Sequence, residues 1–200
     1  MKRSPIAIGL VALTLAAASC TPGDTPSPDE GPITRLEERL AVISSHVSDW
    51  REAENLDEAK AAAEAAANHL TGPQGPGYGD RDGDGQLRGP SDAGVLPGVN
   101  GDPRGFALQA MDAGAPECVA ADVLGGSWAD PRARWSELES AVAQWTYDNN
   151  TFPGLPSHAQ RIVGWAELTL ATDSLDEARE FGGHAAIHVR ISSQALTSCR

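Results

Sequence analysis

Asn55-Leu-Asp-Glu-Ala-Lys-Ala-Ala-Ala-Glu-Ala-Ala-Ala-Asn-His69 is echoed, without a gap, by Ser174-Leu-Asp-Glu-Ala-Arg-Glu-Phe-Gly-Gly-His-Ala-Ala-Ile-His188. Each copy opens on a capping residue followed three positions later by Glu, the pattern with which a side chain and a backbone N–H satisfy one another at a helix start. Each then leads into apolar residues at steps of three, four or seven. In the first copy these are Leu56, Ala59, Ala63, Ala66 and Leu70; in the second they are Leu175, Ala178, Ala185, Val189 and Leu196. That period belongs to a helix with one buried face.

Outward from each copy, the preceding segment is also an amphipathic helix. Ile33, Leu36, Leu40, Ile43, Val47 and Trp50 form one stripe, and Ile162, Val163, Ala166 and Leu170 form another between about Ser157 and Ala171. The connections are short, so each pair should fold back as an antiparallel hairpin. Asp130-Pro131 starts a further helix carrying Trp135, Leu138, Val142 and Trp145, and short helical stretches are expected over Phe106–Met111 and Glu117–Leu124. No segment alternates as a strand would. The expected fold is all-α: an up-and-down helical bundle of two hairpins plus an additional helix, spanning residues 33–200, with a long Gly/Asp-rich calcium-loop insert at 72–105.

Within that insert, Tyr78-Gly-Asp80-Arg-Asp82-Gly-Asp84-Gly85-Gln86-Leu87 places carboxylates at alternate positions before a glycine, a backbone carbonyl at Gln86 and an apolar residue. Hard cations take several oxygen ligands, and the glycine allows the turn that gathers them. The stretch resembles the loops of EF-hand and dockerin proteins over about a dozen residues. The resemblance implies calcium held by Asp80, Asp82, Asp84 and the Gln86 carbonyl. The closing acid expected at Ser91 is absent, and Asp92, one residue later, is the candidate to replace it. No helix follows the loop directly, another departure from an EF-hand.

The ends give the compartment. Lys2 and Arg3, the apolar run Ile6–Leu15 and the small residues before Cys20 read as an export signal over residues 1–19. Leu15-Ala-Ala-Ala-Ser-Cys20 resembles a bacterial lipobox, although Ala17 stands where Leu is more usual; the resemblance implies a lipid on Cys20 and attachment to the cell membrane or outer membrane. Residues 20–32, rich in Pro, Ser, Thr and acids, form a flexible tether. With Cys20 lipidated, Cys118 and Cys199 remain as an even pair, for which a disulfide is expected in an oxidising compartment. The overall pattern is similar to bacterial exported helical proteins.

Other features narrow the function. The formal net charge is −13, two of the positive charges lie in the signal, and no Lys/Arg cluster occurs, so nucleic acid is a poor partner. There is no nucleophile elbow, reactive Cys–His setting or phosphate-cradling loop, so an enzyme ranks third, behind the two classes below. His184 and His188 share a helical face at a spacing that suits a transition metal, with His46 and His69 as further donors or haem ligands. Two function classes follow: a membrane-anchored, calcium-stabilised binding or scaffolding module with an envelope protein partner, and a transition-metal or haem redox protein.

Overall fold

The computed structural model describes residues 31–150 and 154–199. The segment expected to be an export signal, Cys20 and nearly all of the expected tether lie outside the described residues. The described chain has six α-helices: α1 (Pro32–Glu52), α2 (Leu56–Thr71), α3 (Gly105–Asp112), α4 (Pro131–Val142), α5 (His158–Ala171) and α6 (Leu175–Gln194), with a π-helical turn at Ala120–Leu124. No strand occurs among the described residues.

Helices α1, α2, α5 and α6 close a four-membered ring in which α1 packs on α2 and α6, and α5 on α6 and α2. Both hairpins form as the period requires, and the all-α bundle is the observed fold. Leu36, Leu40, Ile43, Val47 and Trp50 of α1 are buried, facing the alanine stripe of α2. The Trp50 indole N–H donates to the Ala178 carbonyl at 2.8 Å, tying the end of α1 to the start of α6. Gly182 makes that crossing close: a Cβ there would stand 3.0 Å from the Arg51 backbone.

Helix starts differ in one respect from the expected pattern. Ser174 caps α6 by accepting from the Glu177 N–H at 3.3 Å, but the Glu177 carboxylate takes the Thr172 hydroxyl instead of returning to the cap. Asn55 likewise accepts from Glu58, whose carboxylate accepts the Glu54 N–H. The reciprocal box lies at Ser157 and Gln160 on α5. The buried face of α5 is also turned from the expected one. Ala159, Ile162, Trp165, Ala166 and Thr169 are buried, while Val163 and Leu170 sit at its edge. Trp165 is the reason: it is the bulkiest side chain on α5 and packs against Phe181 and Trp145. Helix α4 stops at Val142, one turn early, and Trp145 is buried from the turn that follows.

The insert joins the core. Residues 93–96 run as a strap past the end of α2, where the last turn of a helix leaves its carbonyls without intrahelical donors. The N–H groups of Val95 and Leu96 donate to His69 and Leu70 carbonyls at 3.2 and 2.9 Å, and the strap carbonyls of Gly94 and Val95 accept from Phe106 and Ala107 at the start of α3. Val95 and Leu96 are buried. Gly94 is obligatory there, because a Cβ would come 2.5 Å from the Gly72 nitrogen. Cys118 and Cys199 are disulfide-bonded with Cα atoms 5.3 Å apart, fastening the C-terminal end to the segment before the π turn.

Candidate metal centre

Helix α2 is alanine on nearly every side, and such a helix is buried all round. Between Ala62 and Asn68, where every residue is buried, Glu64 and Asn68, one turn apart, are the polar exceptions, and both are fully buried. A buried carboxylate is costly unless hydrogen-bonded. Glu64 meets that demand with the insert: one oxygen accepts the N–H groups of Arg81 and Asp82 at 2.6 and 3.1 Å, and the other accepts that of Arg88 at 3.2 Å. Asn68 donates to the carbonyls of Gly79 and Arg88 at 2.9 and 2.8 Å and accepts the Gly79 N–H at 3.1 Å. Two side chains on successive turns of α2 therefore grip both ends of the acidic loop. The Tyr78 hydroxyl closes its neck by donating to the Pro90 carbonyl at 2.5 Å.

Inside the grip, each aspartate binds loop amides. Asp80 accepts from Gly83 and Gly85, both at 2.9 Å, Asp82 from Asp84 at 3.0 Å, and Asp84 from Gln86 at 2.7 Å. Gly83 and Gly85 take φ of 78° and 83°, the left-handed region that favours glycine and that winds the chain back over its carboxylates. One carboxylate oxygen from each of Glu64, Asp80 and Asp82 lies within 4.8 Å of the others. That group can hold a metal ion. A carboxylate oxygen has two acceptor positions, so both Asp80 oxygens keep one free. The Glu64 oxygen that faces the Asn68 amide does so at 3.5 Å, a weak contact that a cation could displace.

Not all of the residues expected in the site converge. Asp84 pairs with Arg88 at 2.5 Å, and that hydrogen bond holds its carboxyl below the ordinary range. The Gln86 carbonyl accepts from the same guanidinium at 3.5 Å. Arg88 also reaches Asp82 at 3.5 Å, so a protein cation already answers part of the loop's negative charge. Burial pushes the Asp82 carboxyl above its ordinary value, and the nearby Glu64 and Asp84 charges push it the same way. Asp92 is elsewhere. Its carboxylate pairs at 2.9 Å with Arg39, which is buried on the inner face of α1 and also donates to the Ala93 carbonyl at 3.0 Å. Burial alone would raise the Asp92 pKa; Arg39 and the Ala93 N–H outweigh it and bring it below the ordinary value. Glu64, from the helix before the loop, is the third carboxylate grouped with Asp80 and Asp82, and Asp92 serves Arg39, whose buried charge requires a partner.

The histidines divide. His46 and His69 stack with centroids 5.3 Å apart, and His69 Nδ1 lies 3.2 Å from an Arg39 nitrogen. His188 pairs with His158, which the sequence had not singled out, at 2.9 Å between Nδ1 atoms. His184 turns to Trp165 and stacks on it at 4.4 Å. The i, i+4 pair therefore has two separate sets of neighbours. Among the described residues, the one three-donor group contains no histidine. Burial, with Arg39 and His46 beside it, lowers His69 to about 3; burial, with His158 and Arg161, lowers His188 to about 3.

Glu64 was hidden in the sequence by its setting, since the stripe drawn through Ala63 and Ala66 places it just off the inner face. The usable signal was a lone Glu and Asn one turn apart in a run otherwise made of alanine.

Fold and site together define a helical-bundle domain with a partly buried acidic triad able to hold a metal ion. No protein-family model matches the chain, and no curated protein or solved structure is significantly similar to it.

Proposed function

We propose that this chain is an exported, lipid-anchored binding or scaffolding module of the bacterial cell envelope whose insert is locked by calcium at Glu64, Asp80 and Asp82. The observation that carries the reading is the convergence of those three carboxylates on one point, with Glu64 rooted in the core. Oxygen-only donors in an acidic pocket suit a hard cation, with water or loop carbonyls completing a coordination shell of six to eight. The disulfide is compatible with an oxidising compartment, and among the described residues no helix is long and apolar enough to cross a membrane. In this reading attachment is through a lipid on Cys20, and the face offered to an envelope protein is the ordered insert.

Calcium binding is tested by melting the mature protein in EDTA and in excess calcium. A cation at one hundred times its Kd adds about 2.7 kcal/mol, which for a domain of this size raises Tm by roughly 5–10 °C. Asp80→Ala with Asp82→Ala should abolish the shift. Arg88→Ala should enlarge it, because calcium then becomes the only counter-charge to the loop. An unchanged Tm in all three proteins rejects calcium. Cys20→Ala should move the protein from the membrane fraction to the soluble one; retention in the membrane rejects the anchor.

A further inference from the structure

A cleft of about 340 Å³ opens between the insert, α4 and α5. Its size is at the lower end of the range for small-molecule sites, which are mostly apolar with a few placed polar groups. Leu96, Trp135, Leu138 and Val163 supply apolar wall. Trp135 is fixed: its indole N–H donates to the Pro97 carbonyl at 2.7 Å, and its ring meets Trp128 edge-on at 5.3 Å. The same strap that carries Leu96 is stitched to α2 and α3, so this side of the cleft is pre-formed.

The charged lining is Arg81, Glu139 and Glu167. Arg81 and Glu167 form an ion pair with each other. Glu139 lines the cleft from α4 and is exposed, with no side-chain partner among the described residues. The cleft thus combines apolar walls, an aromatic side chain and one uncompensated negative charge.

We infer that this cleft binds a small hydrophobic monocation, an apolar body with a single ammonium group, whose charge is met by Glu139. The walls take the body by the hydrophobic effect, and Glu139 selects the sign of the head. Trp135 adds the attraction of an aromatic face for a cation. A carboxylate-bearing amphiphile meets the opposite conditions, since Arg81 is already engaged by Glu167. The inference rests on reading the domain as a binding module and supplies its ligand class. It does not require the cation, although Arg81 sits between Asp80 and Asp82 and so links the loop to the rim of the cleft.

Calorimetric titration of the mature protein with n-octylamine, n-octanol and n-octanoate, in calcium and at physiological salt, tests it. The amine should bind saturably at one site and about fivefold or more tighter than either analogue, a preference that one partly exposed charge contact plus a cation–π contact can supply. Glu139→Gln should remove most of that preference while leaving octanol binding unchanged. Val163→Trp should block all three, with an unchanged helical spectrum confirming the fold. Glu117→Gln, an exposed acid away from the cleft, should bind the amine as the parent does. Equal binding of the three probes, tightest binding of octanoate, or equal losses in Glu139→Gln and Glu117→Gln overturns the inference. The calcium reading is judged separately, by the EDTA melt without amine, so either can fail alone.

Discussion

The two hairpins, α1–α2 and α5–α6, were built to one pattern and put to different use. In the ungapped register His69 corresponds to His188, and each presses against a second histidine from the helix before it, His46 in one case and His158 in the other. Both are driven to about 3 by burial among positive or like groups. The difference lies one turn earlier. Glu64 and Asn68 of α2 correspond to Gly183 and Ile187 of α6. The first pair is buried under the acidic loop. At the second, a Cβ on Gly183 would meet nothing within 4 Å, and Ile187 is 47% exposed. Two side chains thus hold the insert against α2, and α6 has no counterpart to them.

The most severe way to break this contrast is Glu64→Ala. It leaves the N–H groups of Arg81, Asp82 and Arg88 without their acceptor, and each amide left buried and unpaired costs about 1–3 kcal/mol. The loop relieves part of that by moving into water, so a loss of about 3 kcal/mol is expected in thermal or urea unfolding. Hydrogen exchange should show the same three amides losing protection while the α5–α6 amides keep theirs. Glu64→Gln retains an acceptor for the Arg81 and Asp82 amides, although not for that of Arg88, and loses the charge. It should therefore recover much of the stability and none of the calcium response. If Glu64→Ala melts like the parent, the grip assigned to α2 is wrong.

The histidines give a second, intermediate effect, this time shared by the halves. A base whose pKa falls on folding binds its proton more readily in the unfolded chain, so stability rises with pH across the interval between the two values. For His69 and His188 the stabilisation is complete above the ordinary value of 6.5 and drains away as pH falls towards about 3. Near pH ~4.5 each should have lost about 2–3 kcal/mol. Arg39, His46 and Asp92 face the first, and His158, Arg161 and His184 the second, so the two losses are not identical. His69→Asn and His188→Asn should each flatten the acid limb of a Tm–pH profile, and the double variant should flatten it further. A single variant that removes the whole limb would show that only one hairpin senses pH.

What could be read from the sequence was whatever depends on spacing within one segment. Helix α1 was legible from Leu36 to Trp50 because its stripe is continuous, and the disulfide from the parity of Cys118 and Cys199. Asp80 and Asp82 were legible as neighbouring carboxylates able to share a metal ion because the alternation lies within a few residues. Glu64 was not, since its place in the site depends on residue 64 meeting residues 81, 82 and 88 across the fold. The partner of Asp92 likewise depends on a meeting across the fold. Only the buried position of Arg39 shows that its carboxylate is spoken for. His158 escaped notice because its partner is thirty residues away on another helix.

The smallest expected effects sharpen the comparison most finely, because they separate two adjacent glycines on one helix. Glycine inside a helix costs about 1 kcal/mol relative to alanine. At Gly183 nothing stands within 4 Å of an added Cβ, so Gly183→Ala should stabilise by about 0.5–1 kcal/mol. At Gly182 the added carbon would stand 3.0 Å from the Arg51 backbone and 3.1 Å from the Trp50 ring. The propensity gain is then offset by pushing α6 off α1, and overpacking of this kind costs about 1–3 kcal/mol. The two variants should therefore move Tm in opposite directions, although they differ by one position and carry the same new methyl group. If both rise, the α1–α6 crossing has slack and Gly182 is not what sets its closeness. If both fall, the face of α6 at Gly183 is covered in solution, and the half of the molecule without an insert has a partner of its own.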